Sequence, residues 1–183
     1  MAKILMVVGS NRTNSYNRQL ADAIVKEIGD RAEVSFLDYR NVPLFNQDEE
    51  FPAPESVQEA RAAFDAADGI WVVTPQYNDS YPGLVKNLLD WMSRATEQGV
   101  MESASTQGAK LTISSAAGNT AGAAVIEKAK ELGEFIGMKV MADPVAGIAL
   151  SGESWQTGNL ILSDSDKKAV ADQAAAFLDF IAQ

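Results

Sequence analysis

Lys3-Ile4-Leu5-Met6-Val7-Val8-Gly9-Ser10-Asn11-Arg12-Thr13-Asn14-Ser15-Tyr16-Asn17-Arg18-Gln19-Leu20-Ala21 holds the transition that sets the fold. Ile4 to Val8 is a continuous apolar run with no polar alternation, as expected of a parallel strand covered on both faces. Gly9-Ser10 ends it. Beyond the polar loop, Leu20, Ile24 and Ile28 recur four apart with Ala21 and Val25 beside them, which makes one apolar helix stripe. The apolar run is too short for a signal peptide or a membrane span.

The same unit repeats outward from this stretch. Ala32 to Leu37 reads as a second strand and Asp38 to Pro54, with Pro43, Pro52 and Pro54, as a long loop. Glu55 to Ala67 reads as a helix ended by Asp68-Gly69. Ile70-Trp71-Val72-Val73 is a third strand, and Leu84, Leu88 and Met92 mark a helix starting near Pro82-Gly83. Lys110 to Ser114 is a fourth strand, Ser115 to Gly122 a loop, and Val125, Ala129, Leu132 and Ile136 a helix stripe. A fifth strand falls within Lys139 to Val145, and Val170 to Ile181 closes the chain as a helix. Alternating βα units predict an α/β domain spanning 1–183, a flavodoxin-like three-layer sandwich. Its five-stranded parallel sheet has order 2-1-3-4-5 and helices on both faces, so the loops after strands one, three and four hold any site.

Composition narrows the chemistry. The chain has 183 residues, 46% hydrophobic and 22% charged, with 15 basic against 25 acidic side chains and a net charge of −10. That balance argues against nucleic-acid binding, which needs cations to replace phosphate counterions, and against electrostatic membrane attachment. With no cysteine and no histidine, thiol catalysis, Cys/His zinc sites and Ser-His-Asp triads are excluded. An enzyme of this composition uses carboxylates, Lys, Tyr, an oxygen-bound metal or a cofactor with its own chemistry. Absence of cysteine agrees with a cytoplasmic location.

Seven of the nine residues from Gly9 to Asn17 carry a hydroxyl or side-chain amide, and another is Arg12. The loop is neither a Walker sequence nor a G-x-G-x-x-G fingerprint. A helix N-cap needs one such residue; several of them with a guanidinium, just before a helix N-terminus, suit a terminal phosphate. After strand three, Thr74-Pro75-Gln76-Tyr77-Asn78-Asp79-Ser80-Tyr81-Pro82-Gly83 forms a rigid loop able to border a planar ring. After strand four, Ala117, Gly118 and Asn119 lie in a run of small residues; Gly118 permits close backbone approach and Asn119 tolerates left-handed dihedrals. Together the loops describe a phosphate joined to a flat heteroaromatic, the shape of FMN.

Gly9 to Ala21 resembles the G-S-x-R-x-x-S-x-N-R-x-L-A motif of the NADPH-dependent FMN reductase family. Thr74 to Trp91 resembles its T-P-E-Y-N-x-S-x-P-G-x-L-K-N-x-x-D-W motif. The likeness runs from Lys3 to about Gly137. It implies that Ser10, Arg12, Ser15 and Asn17, with the Tyr16 backbone, hold the FMN phosphate, and that Pro75, Gln76, Tyr77 and Asn78 border the ring. Asp90 and Trp91 read as structural. Val42-Pro43-Leu44-Phe45-Asn46-Gln47-Asp48 corresponds to a family segment at a subunit interface or pocket rim. Gln76 stands where Glu is usual, Asp79 where a small residue is common, Tyr81 where a smaller aliphatic is usual, and Asn119 in place of a second Gly.

The resemblance implies hydride transfer from NADPH or NADH to FMN, then electron transfer to a small-molecule acceptor: a quinone, an azo compound, free flavin or a metal oxyanion. No catalytic side chain and no metal ligand is assigned. Asp79, Tyr81 and Trp155 are the substrate-pocket candidates. The 144–162 segment is expected to be a lid, part of a partner's site in a homodimer or homotetramer, or a surface hairpin. A 2′-phosphate wants Arg or Lys, and Arg12, Arg18, Arg40 and Arg94 await placement by the fold. The rival readings are a flavodoxin-like one-electron carrier, whose acidity this chain shares, and a regulatory protein that has lost flavin.

Overall fold

The computed structural model describes residues 1–183. Strands β1 (Ala2–Val8), β2 (Ala32–Phe36), β3 (Gly69–Val73), β4 (Lys110–Ala117) and β5 (Lys139–Val140) lie side by side in the order β2-β1-β3-β4-β5. Every pairing is parallel. A sixth strand, β6 (Gly147–Ala149), also pairs with β4. The helices are α1 (Tyr16–Ile28), α2 (Glu55–Asp65), α3 (Gly83–Met92), α4 (Ala123–Phe135), α5 (Gly152–Thr157) and α6 (Asp164–Ile181). The flavodoxin-like order expected from the βα alternation is the order observed.

Strand side chains divide between two cores with a period of two. Ile4, Met6, Trp71 and Val73 face α1 and α6, meeting Leu20, Ile24, Phe177 and Ile181. Leu5, Val7, Ile70 and Val72 face the other helices, meeting Phe64, Leu88, Trp91 and Ala129. All five residues of β3 are buried, which explains a run with no polar alternation. The C-terminal helix starts with a capping box, Ser163 with Asp166, so Asp166 serves the helix N-terminus.

The fifth strand differs from expectation because it is interrupted. Leu111 pairs with Val140 and Ser115 with Gly147, so four steps along β4 face seven along its neighbour. The surplus residues leave the ladder around Pro144, which has no N–H to offer β4. The resumed pairing carries β4 through Ala117, so Ser115, Ala116 and Ala117 belong to the strand rather than to the loop.

Gln173 of α6 closes the gap. Its Nε2 donates to the Ile113 carbonyl (2.9 Å) and Thr112 Oγ1 (2.8 Å), and its Oε1 accepts from the Ala146 N–H (2.7 Å) and the Ser114 hydroxyl (2.8 Å). Ser114 Oγ in turn accepts from Trp71 Nε1 (2.9 Å). The side chain is fully buried, and its amide replaces the ladder bond missing between β4 and the chain before β6. Gln173→Leu, which keeps the volume and strands the Ile113 and Ala146 backbone groups, is expected to cost about 3 kcal/mol of stability. Urea unfolding should show a lower midpoint at unchanged slope; an unchanged midpoint would mean that the gap closes without this amide.

Candidate functional site

Three loops meet at the carboxyl edge of the sheet, after β1, β3 and β4. The first, Gly9 to Ser15, begins with the Gly9 N–H donating to Val73 O (2.8 Å). A Cβ at Gly9 would fall 2.5 Å from Thr74 Oγ1, so only glycine lets this loop pass against the end of β3. Ser15 caps α1, its hydroxyl accepting from the Arg18 N–H (3.4 Å). The backbone N–H groups of Thr13, Asn14, Tyr16 and Asn17 donate to no protein acceptor. These groups and the positive end of α1 form an anion cradle beside the Ser10 and Thr13 hydroxyls.

The loop is braced from behind. Tyr16 donates its phenol to Ser154 O (2.7 Å), and its ring lies edge-on to Trp155 at 5.8 Å. Asn14 Nδ2 and Gln19 Nε2 both donate to Gly158 O, while Gln19 Oε1 accepts from the Leu160 N–H. The 144–162 segment is therefore not a surface hairpin. It comprises β6 and the short helix α5, capped by Ser151 and ended by Gly158 in the left-handed region (φ 75). Trp155 is 60% exposed beside Tyr16. Asn17 is buried, and its amide pairs with both the N–H and the carbonyl of Ala116 on β4, each at 2.9 Å.

The second loop is a hairpin in miniature. Tyr77 and Ser80 exchange both backbone hydrogen bonds, and Asn78 (φ 51) and Asp79 (φ 58) form the turn with positive φ at both central positions. Asn and Asp are the non-glycine residues best suited to that geometry. Gln76 joins this loop to the third: Nε2 donates to Asp79 Oδ1 (3.0 Å) and Thr120 Oγ1 (3.3 Å), and Oε1 accepts from the Val125 N–H in the first turn of α4 (3.2 Å). Lys128 adds a bond to the Asp79 carbonyl. Tyr77 is half exposed, whereas Tyr81 packs against the core that holds α3.

Ala117, the last residue of β4, is buried, and in the third loop that follows it an added Cβ on Gly118 would meet nothing within 4 Å. The left-handed residues are Ala121 (φ 52) and Gly122 (φ 74) rather than Asn119. A Cβ on Gly122 would overlap the Ser115 hydroxyl. Behind the second loop, Trp91 Nε1 and Asn87 Nδ2 donate to Pro43 O and Asn87 Oδ1 accepts from the Phe45 N–H, so the 42–48 segment is anchored on α3. Asp90 pairs with Lys86. Trp91 and Asp90 thus act structurally, as their position on the helix suggested.

The chain matches the family model for NADPH-dependent FMN reductases over residues 2–152. It belongs to that family. A 2-hydroxy-1,4-benzoquinone reductase from Burkholderia sp is 42% identical over 98 residues, 54% of each protein, so the chain spans about half the length of that relative in the match. A quinone reductase from Escherichia coli K12 is 30% identical over 187 residues, covering 98% of this chain and 95% of that one. The solved structure of the flavoenzyme NAD(P)H:(acceptor) oxidoreductase FerB from Paracoccus denitrificans superposes with a TM-score of 0.87 at 28% identity, covering 100% of this chain and 98% of that one. The family's description pairs FMN with NADPH, and FerB is a flavoenzyme that takes NAD(P)H. Two features fit FMN: the unpartnered N–H groups of the first loop suit its phosphate, and no protein atom lies within 4 Å of a Cβ built at Gly118, which leaves that side open.

Sequence reasoning placed Asn17 with the phosphate; the structure shows its amide engaged by Ala116. Asn17→Ala, which leaves the buried Ala116 backbone groups unpaired, is expected to lower stability by about 2 kcal/mol in urea unfolding of the flavin-free protein. Unchanged stability with lost FMN affinity would make Asn17 a ligand residue instead.

Proposed function

We propose that this chain is an FMN-dependent NAD(P)H oxidoreductase acting on small two-electron acceptors, with quinones as the first class. The observation that carries the reading is the anion cradle of the first loop, with the open side of Gly118 at the same edge of a flavodoxin-like sheet. The quinone class is supported by the names of the relatives from Burkholderia and Escherichia coli. Azo compounds, free flavin and metal oxyanions are further acceptors to assay.

Bound FMN supplies the redox chemistry, accepting hydride from the nicotinamide and releasing electrons to the acceptor. Ser10, Arg12 and Ser15, with the Tyr16 N–H, hold its phosphate, and Asn17 keeps their loop against β4. Pro75, Gln76, Tyr77 and Asn78 border one edge of the ring, with Ala117, Gly118 and Asn119 opposite. Gln76 ties the two borders together, so the slot keeps its width as substrates exchange. Asp79 and the exposed Tyr77 stand at the acceptor side. Tyr81 supports that hairpin from below, and Trp155 shields the phosphate end through Tyr16.

The active unit is one domain over residues 1–183, working in the cytoplasm as a homodimer or homotetramer. No helix is long and apolar enough to cross a membrane.

Anaerobic stopped-flow mixing of the FMN-loaded protein with NADPH or NADH is expected to bleach the flavin, and added quinone to restore its colour. Tight FMN binding without bleaching by either nucleotide would replace the reductase reading with that of a one-electron carrier. Gly118→Val, which fills the open side of the slot, is expected to weaken FMN binding at least tenfold, or about 1.4 kcal/mol. The unfolding midpoint of the flavin-free protein should stay unchanged; unaltered FMN affinity would place the ring elsewhere.

A further inference from the structure

The carboxyl ends of β1 and β2 enclose a cleft of about 390 Å³ on the side of the first loop away from β3. Three of the chain's six arginines, Arg12, Arg18 and Arg40, line it together with Ser10, Thr13 and Phe36. Such a concentration stands out in a protein of net charge −10. Arg94, the fourth arginine considered for a phosphate, is elsewhere, paired with Glu50 at 2.6 Å.

The arginines are held in different ways. Arg18 lies over the Phe36 ring, 3.9 Å from its centroid, with Nε on Asp22 (3.0 Å); its terminal nitrogens make no hydrogen bond within the protein. Arg12 sits 5.0 Å above the Tyr16 ring, and its guanidinium likewise has no hydrogen-bond partner. Arg40 is engaged by both oxygens of Asp38, at 2.9 and 2.6 Å, and holds that carboxyl down to a pKa of about 2. The rim therefore offers two guanidinium groups with free donors, two hydroxyls and one neutralised ion pair. Its wall is a flat cation–aromatic stack. Tyr39 fixes the back of the cleft by donating its phenol to Val8 O (2.8 Å), and burial pushes that phenol above its ordinary pKa, so it stays neutral.

We propose that this cleft receives the 2′-phosphorylated adenosine of NADPH, with Arg18 as its phosphate donor and the Arg18–Phe36 stack as its base platform. The inference rests on the reductase reading above. The flavin slot lies at the ends of β3 and β4, about two strand spacings or ~10 Å across the sheet edge from the cleft, a span that a dinucleotide bridges. The cleft shares the loop of Ser10, Arg12 and Thr13 with the cradle at the start of α1, whereas Arg18, Phe36 and Arg40 belong to the cleft alone, so Arg18 can meet a 2′-phosphate while Arg12 serves the flavin. A dianionic 2′-phosphate gains from the free guanidinium donors, whereas the neutral 2′-hydroxyl of NADH gains little. Asp38 works the other way, accepting from a hydroxyl and repelling a phosphate, so it moderates the preference.

The test uses the FMN-loaded full chain with Arg12 intact, because Arg12 serves the flavin phosphate. Stopped-flow reduction gives the apparent Kd and limiting rate for each nucleotide. Arg18→Gln is expected to raise the apparent Kd for NADPH about tenfold, with that for NADH within about twofold and both limiting rates unchanged. Asp38→Asn is expected to shift the ratio towards NADPH, and Arg31→Gln, outside the cleft, to leave it alone. Equal effects of Arg18→Gln on both nucleotides, or none on either, would overturn the assignment. Calorimetric titration of the wild type with 2′,5′-ADP and 5′-AMP reads the cleft without catalysis: tighter binding of 2′,5′-ADP is expected, and equal affinities would overturn it. Failure of the wild type to oxidise either nucleotide would sink the reductase reading alone, and the titration would still judge the cleft.

Discussion

The Gln173 amide holds together two halves of an edge strand that no backbone ladder joins, and the site depends on that junction. β6 is placed on β4 by Ser115, Ala116 and Ala117, but the chain enters it from a gap where β4 would otherwise face unpaired groups. From β6 the chain passes directly into α5, and α5 supports the first loop through Tyr16, Asn14 and Gln19. A side chain on the last helix thus positions the anion cradle at the start of the first. An unpaired buried amide or carbonyl costs more than a single hydrogen bond gains, so the four bonds of Gln173 act as one unit.

The second and third loops show a related economy. An amide at position 76 can donate to Asp79 with one end and cap α4 with the other. A carboxylate there could still cap the helix, but it would confront Asp79 with like charge. The two departures from the family pattern, Gln76 and Asp79, are therefore compatible through one contact. The same contact explains why a type of turn that needs positive φ twice is stable at the rim: its Asp side chain is tied down as well as its backbone.

Much of this was legible before any coordinates. β1 and β3 are buried and appear as unbroken apolar runs, and the helix stripes fixed which elements alternate. The polar first loop and the Tyr-Asn-Asp turn stood out because hydroxyls, amides and a guanidinium are concentrated there in the sequence itself. Other features lacked a local signal. The fifth strand pairs in pieces of two and three residues, too short for periodicity to register. The six residues of α5, bounded by Ser151 and Gly158, have the composition of a loop. Asn17 has the same residue type as a ligand, and only the position of Ala116 shows where its amide goes. The arginine cleft joins residues from two loops after different strands, a grouping that tertiary structure alone creates.

The interruption of the fifth strand also bears on how this protein can change length. Ala142, Asp143 and Pro144 are exposed between Met141 and Ala146, both buried, and the strand halves on either side are registered to β4 independently. Extra residues at this point would enlarge a surface excursion, at a closure entropy that grows only with the logarithm of its length. They would leave the pairing of Leu111 with Val140 and of Ser115 with Gly147 intact. The gap is accordingly a port for insertion, where a lineage could graft a new segment onto the sheet edge while the three loops at its carboxyl end stay as they are.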